Sequence, residues 1–342
     1  MKQSLSAVIL SALALASCSQ APTNQYTING TVTDMDGQTV VLMQGRGDTL
    51  ATAEVANGAF QFTGVADTAR MSILMIDRQH AAQFFLEPGT LTANLDEGTI
   101  EGTPLNTALN EFSDWTRELM TAYNAEGANK DSLEQVYDAK VQEVSTANVG
   151  NPFGLMLVQQ QAYDFDKAQL DSVMALCELY ANDAQLQKIA VSKVAEEATS
   201  AGHPYVDIEG INATTGEPAK LSDILAEGKP VIVDFWASWC GPCRHEINEY
   251  LSQYAPQYKG KCNFVGIAVW ENSIDDTKKA MEQLPISWPI IFAGGRGEDS
   301  PTTAYGINGI PEIMLVAADG TILARGLRGE AIPVAIDAAL AK

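Results

Sequence analysis

The 342-residue sequence is poor in cysteine, with five in all, and only one pair of them stands two residues apart, Cys240 and Cys243. There is no second Cys-x-x-Cys, and the three histidines, His80, His203 and His245, form no spaced pair. A structural zinc site needs two further ligands of that kind, so dithiol–disulfide cycling is preferred over metal binding for this pair. Basic residues are also scarce. Lys and Arg number 21 against 43 Asp and Glu, a formal net charge of -22. Such a balance argues against holding nucleic acid or anionic lipid through charge, and reads as a solvated acidic surface. Beyond the N-terminus no stretch approaches the ~20 apolar residues of a membrane span. No tandem repeat is visible.

The N-terminus has the form of a processing signal. Lys2 supplies a positive charge, and Leu5 to Leu15 is a short apolar run. Leu15-Ala16-Ser17-Cys18 then resembles the bacterial lipobox. That resemblance implies cleavage before Cys18 and a diacylglyceryl group on its sulfur, so that residues 1–17 are a lipoprotein signal peptide. The alternative is a plain secretory signal with an incidental cysteine. Residues 18–25 read as a polar tether.

From 26 to 103 the pattern is all-β. Tyr26 to Val32 and Ala59 to Phe62 alternate, and turn signals recur at Asp36-Gly37, Asn57-Gly58, Pro88-Gly89 and Glu97-Gly98. Short strands so punctuated predict a small β-sandwich. From 104 to 201 the period changes. Leu105, Leu109, Phe112, Trp115, Leu119 and Tyr123 follow three-and-four spacing, and Leu133 to Val144 repeats it. Four or five helices are predicted. Cys177 is placed on one helical face with Leu170, Val173, Met174 and Tyr180. From 202 to 342 strands alternate with helices and end in a hairpin around Ala318-Asp319-Gly320, which predicts a mixed α/β sheet. Cys177 and Cys262 read as buried thiols rather than a disulfide.

Within the last region, Val231 to Trp236 is a nearly continuous apolar run, and Arg244 to Leu251 reads as a helix. The cysteine pair therefore lies at a strand-to-helix junction. Unpaired N–H groups and the helix dipole favour a negative sulfur at Cys240, which makes it the nucleophile. Cys243, one turn further in, suits a resolving thiol. Asp234 interrupts the apolar strand. Burying a lone carboxylate costs several kcal/mol, so the group tends to take up a proton, as suits a general acid/base. The alternative is an Asp turned to the surface.

Val-Asp-Phe-Trp-Ala-Ser-Trp-Cys-Gly-Pro-Cys, residues 233–243, resembles the active-site stretch of thioredoxins. The wider segment, about 204–342, is similar to the membrane-tethered TlpA/ResA-like thiol-disulfide oxidoreductases. The β region resembles a domain of unknown function found ahead of thioredoxin domains in bacterial lipoproteins. The chain as a whole is thus expected to be multidomain α/β, with a C-terminal thioredoxin-like fold after a small β-sandwich and a helical region. The resemblance implies that Asp234 takes the proton of Cys243 as that thiol resolves a mixed disulfide. It places an active-site Glu at Glu271, within Val269-Trp270-Glu271-Asn272-Ser273, where an exposed helix-start carboxylate is the alternative. It implies a cis-proline at Pro311, with Ile310 facing the sulfurs and the substrate backbone, and a substrate-bordering role for Trp239, Gly241 and Pro242. Asn248 departs from the helix-kinking proline frequent in thioredoxins and puts that bend in doubt.

The function so implied is that of a lipid-anchored thiol-disulfide oxidoreductase of the bacterial envelope, facing the periplasm. It reduces disulfide-containing proteins and needs no cofactor beyond its own cysteines. A DsbD/CcdA-like membrane thiol shuttle is the implied electron donor. A disulfide oxidase or isomerase is the nearest alternative, and a non-catalytic binding lipoprotein a further one. A peroxidase of the peroxiredoxin kind usually has Thr three residues before its reactive cysteine, where this chain has Ala237.

Overall fold

The computed structural model describes residues 24–45, 47–297 and 299–341. Cys18 and the lipobox-like stretch lie outside the described residues. The chain divides into two compact units, residues 1–157 and 158–342.

In the first unit, strands β1 (Gln25–Thr31), β2 (Thr39–Gln44), β3 (Asp48–Glu54), β4 (Ala59–Val65), β5 (Arg70–Met75), β6 (Ala81–Leu86), β7 (Gly89–Asn94) and β8 (Thr99–Glu101) form two four-stranded sheets. Their orders are β4-β1-β7-β8 and β3-β2-β5-β6. Neighbours are antiparallel except β1 and β7. The period-two pattern of β1 sends Tyr26 and Ile28 into a core shared with Leu42, Leu74, Phe84 and Leu91. Glycines with positive φ stand at the expected turns, Gly37, Gly58, Gly89 and Gly98.

Helices α1 (Pro104–Tyr123) and α2 (Lys130–Ala147) follow, and α3 (Pro152–Gln161) runs across the division between the units. Phe112, Tyr137, Val141 and Phe153 pack with Phe85 of β6. Asn106, fully buried in the first turn of α1, is the polar fastener of this contact. Its side chain accepts from the Phe85 N–H and donates to the Phe85 carbonyl, both at 2.8 Å, as a neighbouring strand would.

The second unit begins with α4 (Lys167–Met174), α5 (Glu178–Ala181) and α6 (Ala184–Ala198). The helical stretch expected over 104–201 is thus shared between the two units. Asp166 caps α4 through a reciprocal box with Gln169. Cys177 does not share a continuous helix with Leu170 and Tyr180. The chain is extended there (φ -161°, ψ 160°), Cys177 caps α5, and its thiol is half-buried and free. Apolar spacing spanned the break because both helices turn an apolar side inward at Leu170 and Tyr180.

Strands β9 (Glu209–Asn212) and β10 (Pro218–Lys220), helix α7 (Leu221–Leu225), strand β11 (Val231–Trp236), helices α8 (Gly241–Glu246) and α9 (Ser252–Gln257), and strand β12 (Asn263–Val269) come next. Helix α10 (Ile274–Gln283), strand β13 (Ile290–Gly294), helix α11 (Pro301–Ala304), strands β14 (Glu312–Val316) and β15 (Ile322–Ala324), and helix α12 (Ala331–Leu340) complete the unit. The sheet order is β10-β9-β13-β12-β11-β14-β15. β11 is central, parallel to β12 and antiparallel to β14. All six of its residues are buried, because helices cover both faces of the sheet. Ile232 and Trp236 pack on the side of α8 and α12, whereas Val231, Val233 and Phe235 pack on the side of α7. This alternation aims Asp234 toward α8.

Among the described residues no helix is long and apolar enough to cross a membrane. Asn106→Ala is expected to cost about 2–3 kcal/mol, because two buried backbone groups of Phe85 lose their partner. Urea unfolding of the variant measures it, and a change within error of zero contradicts the fastener role.

Candidate active site

β11 ends at Trp236, and α8 begins at Gly241. The four residues between them deliver Cys240 to the helix as its N-cap. Its sulfur accepts the Cys243 N–H at 3.2 Å, one of the donors left free by the first turn. Cys240 and Cys243 are joined as a disulfide. Cys240 keeps 4 % of its surface exposed and Cys243 none. Pro242 occupies the first turn of α8, where a missing N–H costs nothing. Gly241 has open space around its Cα.

The surroundings of Cys240 come from its own loop and two further ones. Trp239 stands 56 % exposed beside it, with its indole N–H donating to the Trp270 carbonyl at 3.1 Å. Ile310-Pro311 is cis and precedes β14, the antiparallel neighbour of β11. The Ile310 carbonyl oxygen lies 3.8 Å from the Cys240 sulfur. The structure therefore brings Trp239, Cys240, Gly241, Pro242, Cys243, Ile310 and Pro311 into one patch.

Glu271 is buried just beyond β12, and both of its carboxylate oxygens are engaged by Ser238. One accepts the Ser238 N–H at 2.5 Å and the other its hydroxyl at 2.9 Å. Glu271 thus anchors the loop two residues before Cys240. Arg244 ties the same loop from α8, donating to the Ser238 carbonyl at 3.2 Å.

Asp234 is 1 % exposed, and neither carboxyl oxygen has a hydrogen-bond partner. Burial pushes its carboxyl up to about 8; the Arg328 guanidinium opposes the rise and the Glu246 carboxylate adds to it. The acid at this site is therefore protonated through most of the physiological range. Glu246 and Arg328 were not singled out in the sequence. Glu246 follows Cys243 by three residues, a spacing that puts both on the inward side of α8, and this signal was available. Its carboxylate accepts the Gly329 N–H at 3.1 Å. Arg328 donates to the Pro311 carbonyl and, at 2.7 Å, to that of Leu327. No local pattern marks it, since the Pro311 carbonyl it meets lies 17 residues away in the chain.

At Asn248 the active-site helix carries no proline. A π-helical turn, Ile247–Leu251, joins α8 to α9 and includes Asn248. Cys262 is a buried free thiol that burial pushes up to about 12, so it stays protonated. Among the described residues no group of three His, Cys, Asp or Glu side chains is placed to hold a metal.

Residues 198–338 match the family described as Redoxin, and residues 26–109 match a domain of unknown function, DUF4369. The thiol:disulfide interchange protein CycY of Rhizobium leguminosarum is 33 % identical over 130 residues, 38 % of this chain and 67 % of that protein. A thioredoxin of Synechocystis is 36 % identical over 77 residues, 22 % of this chain and 69 % of that protein. The thiol-disulfide oxidoreductase ResA of Bacillus cereus is 30 % identical over 119 residues, 34 % of this chain and 62 % of that protein. The solved thioredoxin domain of a Bacteroides vulgatus thiol-disulfide oxidoreductase is 30 % identical, covering 41 % of this chain and 96 % of that one with a TM-score of 0.37.

Two outcomes are expected. The folded protein holds a proton on Asp234 that the unfolded chain, with its ordinary carboxyl of 3.8, releases. Stability therefore falls as pH rises from about 4 to about 8. Asp234→Asn removes this fall and stabilises the disulfide form at pH 8 by a few kcal/mol (order of magnitude), read from urea midpoints across that range. An unchanged pH slope contradicts it. Glu271→Ala leaves the Ser238 N–H unpaired and is expected to lower stability by about 1–3 kcal/mol, whereas a solvent-exposed carboxylate would cost almost nothing.

Proposed function

We propose that this chain, which belongs to the thioredoxin-like thiol-disulfide oxidoreductases, reduces protein disulfides in the bacterial cell envelope while anchored by lipid on Cys18. One observation carries the chemistry. A sulfur that caps the start of a helix keeps a 4 % opening to solvent, its partner sulfur one turn behind has none, and an unpaired carboxyl, Asp234, is buried on the same side of the sheet.

The reaction begins from the reduced pair. The Cys240 thiolate attacks one sulfur of a substrate disulfide, and the other substrate sulfur leaves as a thiolate. Ionised Asp234 takes the proton of Cys243, whose thiolate then attacks Cys240. The Cys240–Cys243 disulfide forms, and the second substrate sulfur departs. Two electrons have passed from the protein to the substrate. Because Asp234 must be ionised to accept that proton, its raised pKa makes resolution faster toward pH 8. Glu271 supports this step by fixing the loop that carries Cys240. Ile310 offers its backbone, and Trp239 with Pro242 its apolar surface, to an extended substrate segment.

A reductase outside the cytoplasm needs a supply of electrons. A DsbD/CcdA-like membrane thiol shuttle fills that role, and the acyl chains on Cys18 keep the protein in the plane where such a shuttle works. The β unit then serves as a spacer. The acidic surface excludes nucleic acid as a partner.

A Cys243→Ser variant tests this reading. It is expected to accumulate a mixed disulfide through Cys240 when mixed with a disulfide-bonded protein such as insulin. Mass spectrometry of the adduct locates the bond. No adduct, or an adduct through Cys177 or Cys262, contradicts the assignment.

A further inference from the structure

We propose that α6, although it precedes the thioredoxin-like sheet, is the brace that sets the substrate-facing Ile310 loop, with Arg325 as its positioning residue. The inference rests on the reading that Ile310 meets the substrate, and it gives part of the helical stretch a role in catalysis.

The loop in question runs from Tyr305 to Ile310, between α11 and β14. At its outer end Asn308 and Gly309 are exposed. Its inner end is pressed on α6. Gly306 has φ 64°, and a Cβ there would lie 2.3 Å from the Ser192 carbonyl oxygen and 2.5 Å from the Glu196 nitrogen. Only glycine lets the two backbones approach so closely. Asn308 reaches back and donates to the Ser192 hydroxyl at 2.8 Å.

Arg325, just past β15, joins the three parts. One guanidinium nitrogen donates to the Thr199 hydroxyl at 2.7 Å and to the Glu196 carbonyl at 3.2 Å, at the C-terminus of α6. A second donates to the Tyr305 carbonyl at 3.0 Å, at the start of the loop. Its Nε donates to the Glu312 carboxylate at 3.2 Å, just past the cis-proline. The Arg325 and Glu312 side chains are only 15 % and 16 % exposed, so this pair is shielded from solvent. A cation at a helix C-terminus also meets the negative end of the dipole. The same guanidinium therefore holds both ends of the segment that carries Ile310, and fastens it to a helix outside the sheet. Planar, multidentate donation of this kind is beyond a lysine ammonium.

Two variants test the brace in the full-length protein. Arg325→Lys keeps the charge but loses the fork, and Thr199→Val removes one anchor while keeping the shape. Each is measured by amide hydrogen exchange over residues 305–310 and by steady-state reduction of insulin. Faster exchange in that loop is expected, with the insulin KM raised about tenfold, the scale of one lost charged hydrogen bond, and kcat within about twofold. A kcat that falls with KM unchanged overturns the proposal, as does exchange in the loop equal to that of the unaltered protein. Should the unaltered protein fail to reduce insulin, the reductase reading fails, and the exchange result alone decides the brace. Thr199→Val supplies that result if Arg325→Lys does not fold.

Discussion

The start of α8 is the point on which the site depends. A helix leaves its first N–H groups without partners, and here a sulfur takes one of them. The strand that feeds this helix is buried along its whole length, so its position is fixed by packing on both faces. The loop between strand and helix is held by Glu271, Arg244 and the Trp239 indole. Cys240, with only a small opening to solvent, is thereby held in a rigid frame.

Charge at the site is set by two opposed effects. The helix terminus favours a negative sulfur at Cys240. Behind it Asp234 is buried, and neither of its carboxyl oxygens has a hydrogen bond to make ionisation easy. Stabilising a thiolate strengthens the reduced form and makes a pair more oxidising, as in the strongly oxidising members of this fold. A buried, unpaired carboxyl on the α8 side of β11 works the other way, since a second negative charge there has little to compensate it. Arg328 softens the penalty and Glu246 sharpens it. The turn Leu327–Gly329 touches both the proline loop, through Arg328, and the active-site helix, through the Gly329 N–H on Glu246. Geometry and charge are therefore adjusted by the same few residues.

Much of this was legible in the residues. The cysteine spacing, the apolar strand with one Asp, the change from period two to three-and-four, and the terminal hairpin all act locally, so sequence carries them. Glu271 was legible as a candidate only through resemblance, because its partner Ser238 lies 33 residues away. Arg328 and Arg325 were not legible at all. Each acts on carbonyl groups brought near by the fold, and carbonyl groups leave no trace in residue identity. The break at Cys177 was hidden for the opposite reason. Apolar spacing records which side chains face inward, and it does not record whether the helix between them is continuous. The π turn at Asn248 was equally silent, because no residue type enforces it.

The midpoint reduction potential of the Cys240–Cys243 pair, from equilibrium with defined thiol–disulfide buffers, tests the account most directly. A reductase poised by the buried, unpaired Asp234 is predicted to lie near the thioredoxin value of about -270 mV. A value at or above about -180 mV, in the range of isomerases and oxidants, contradicts it.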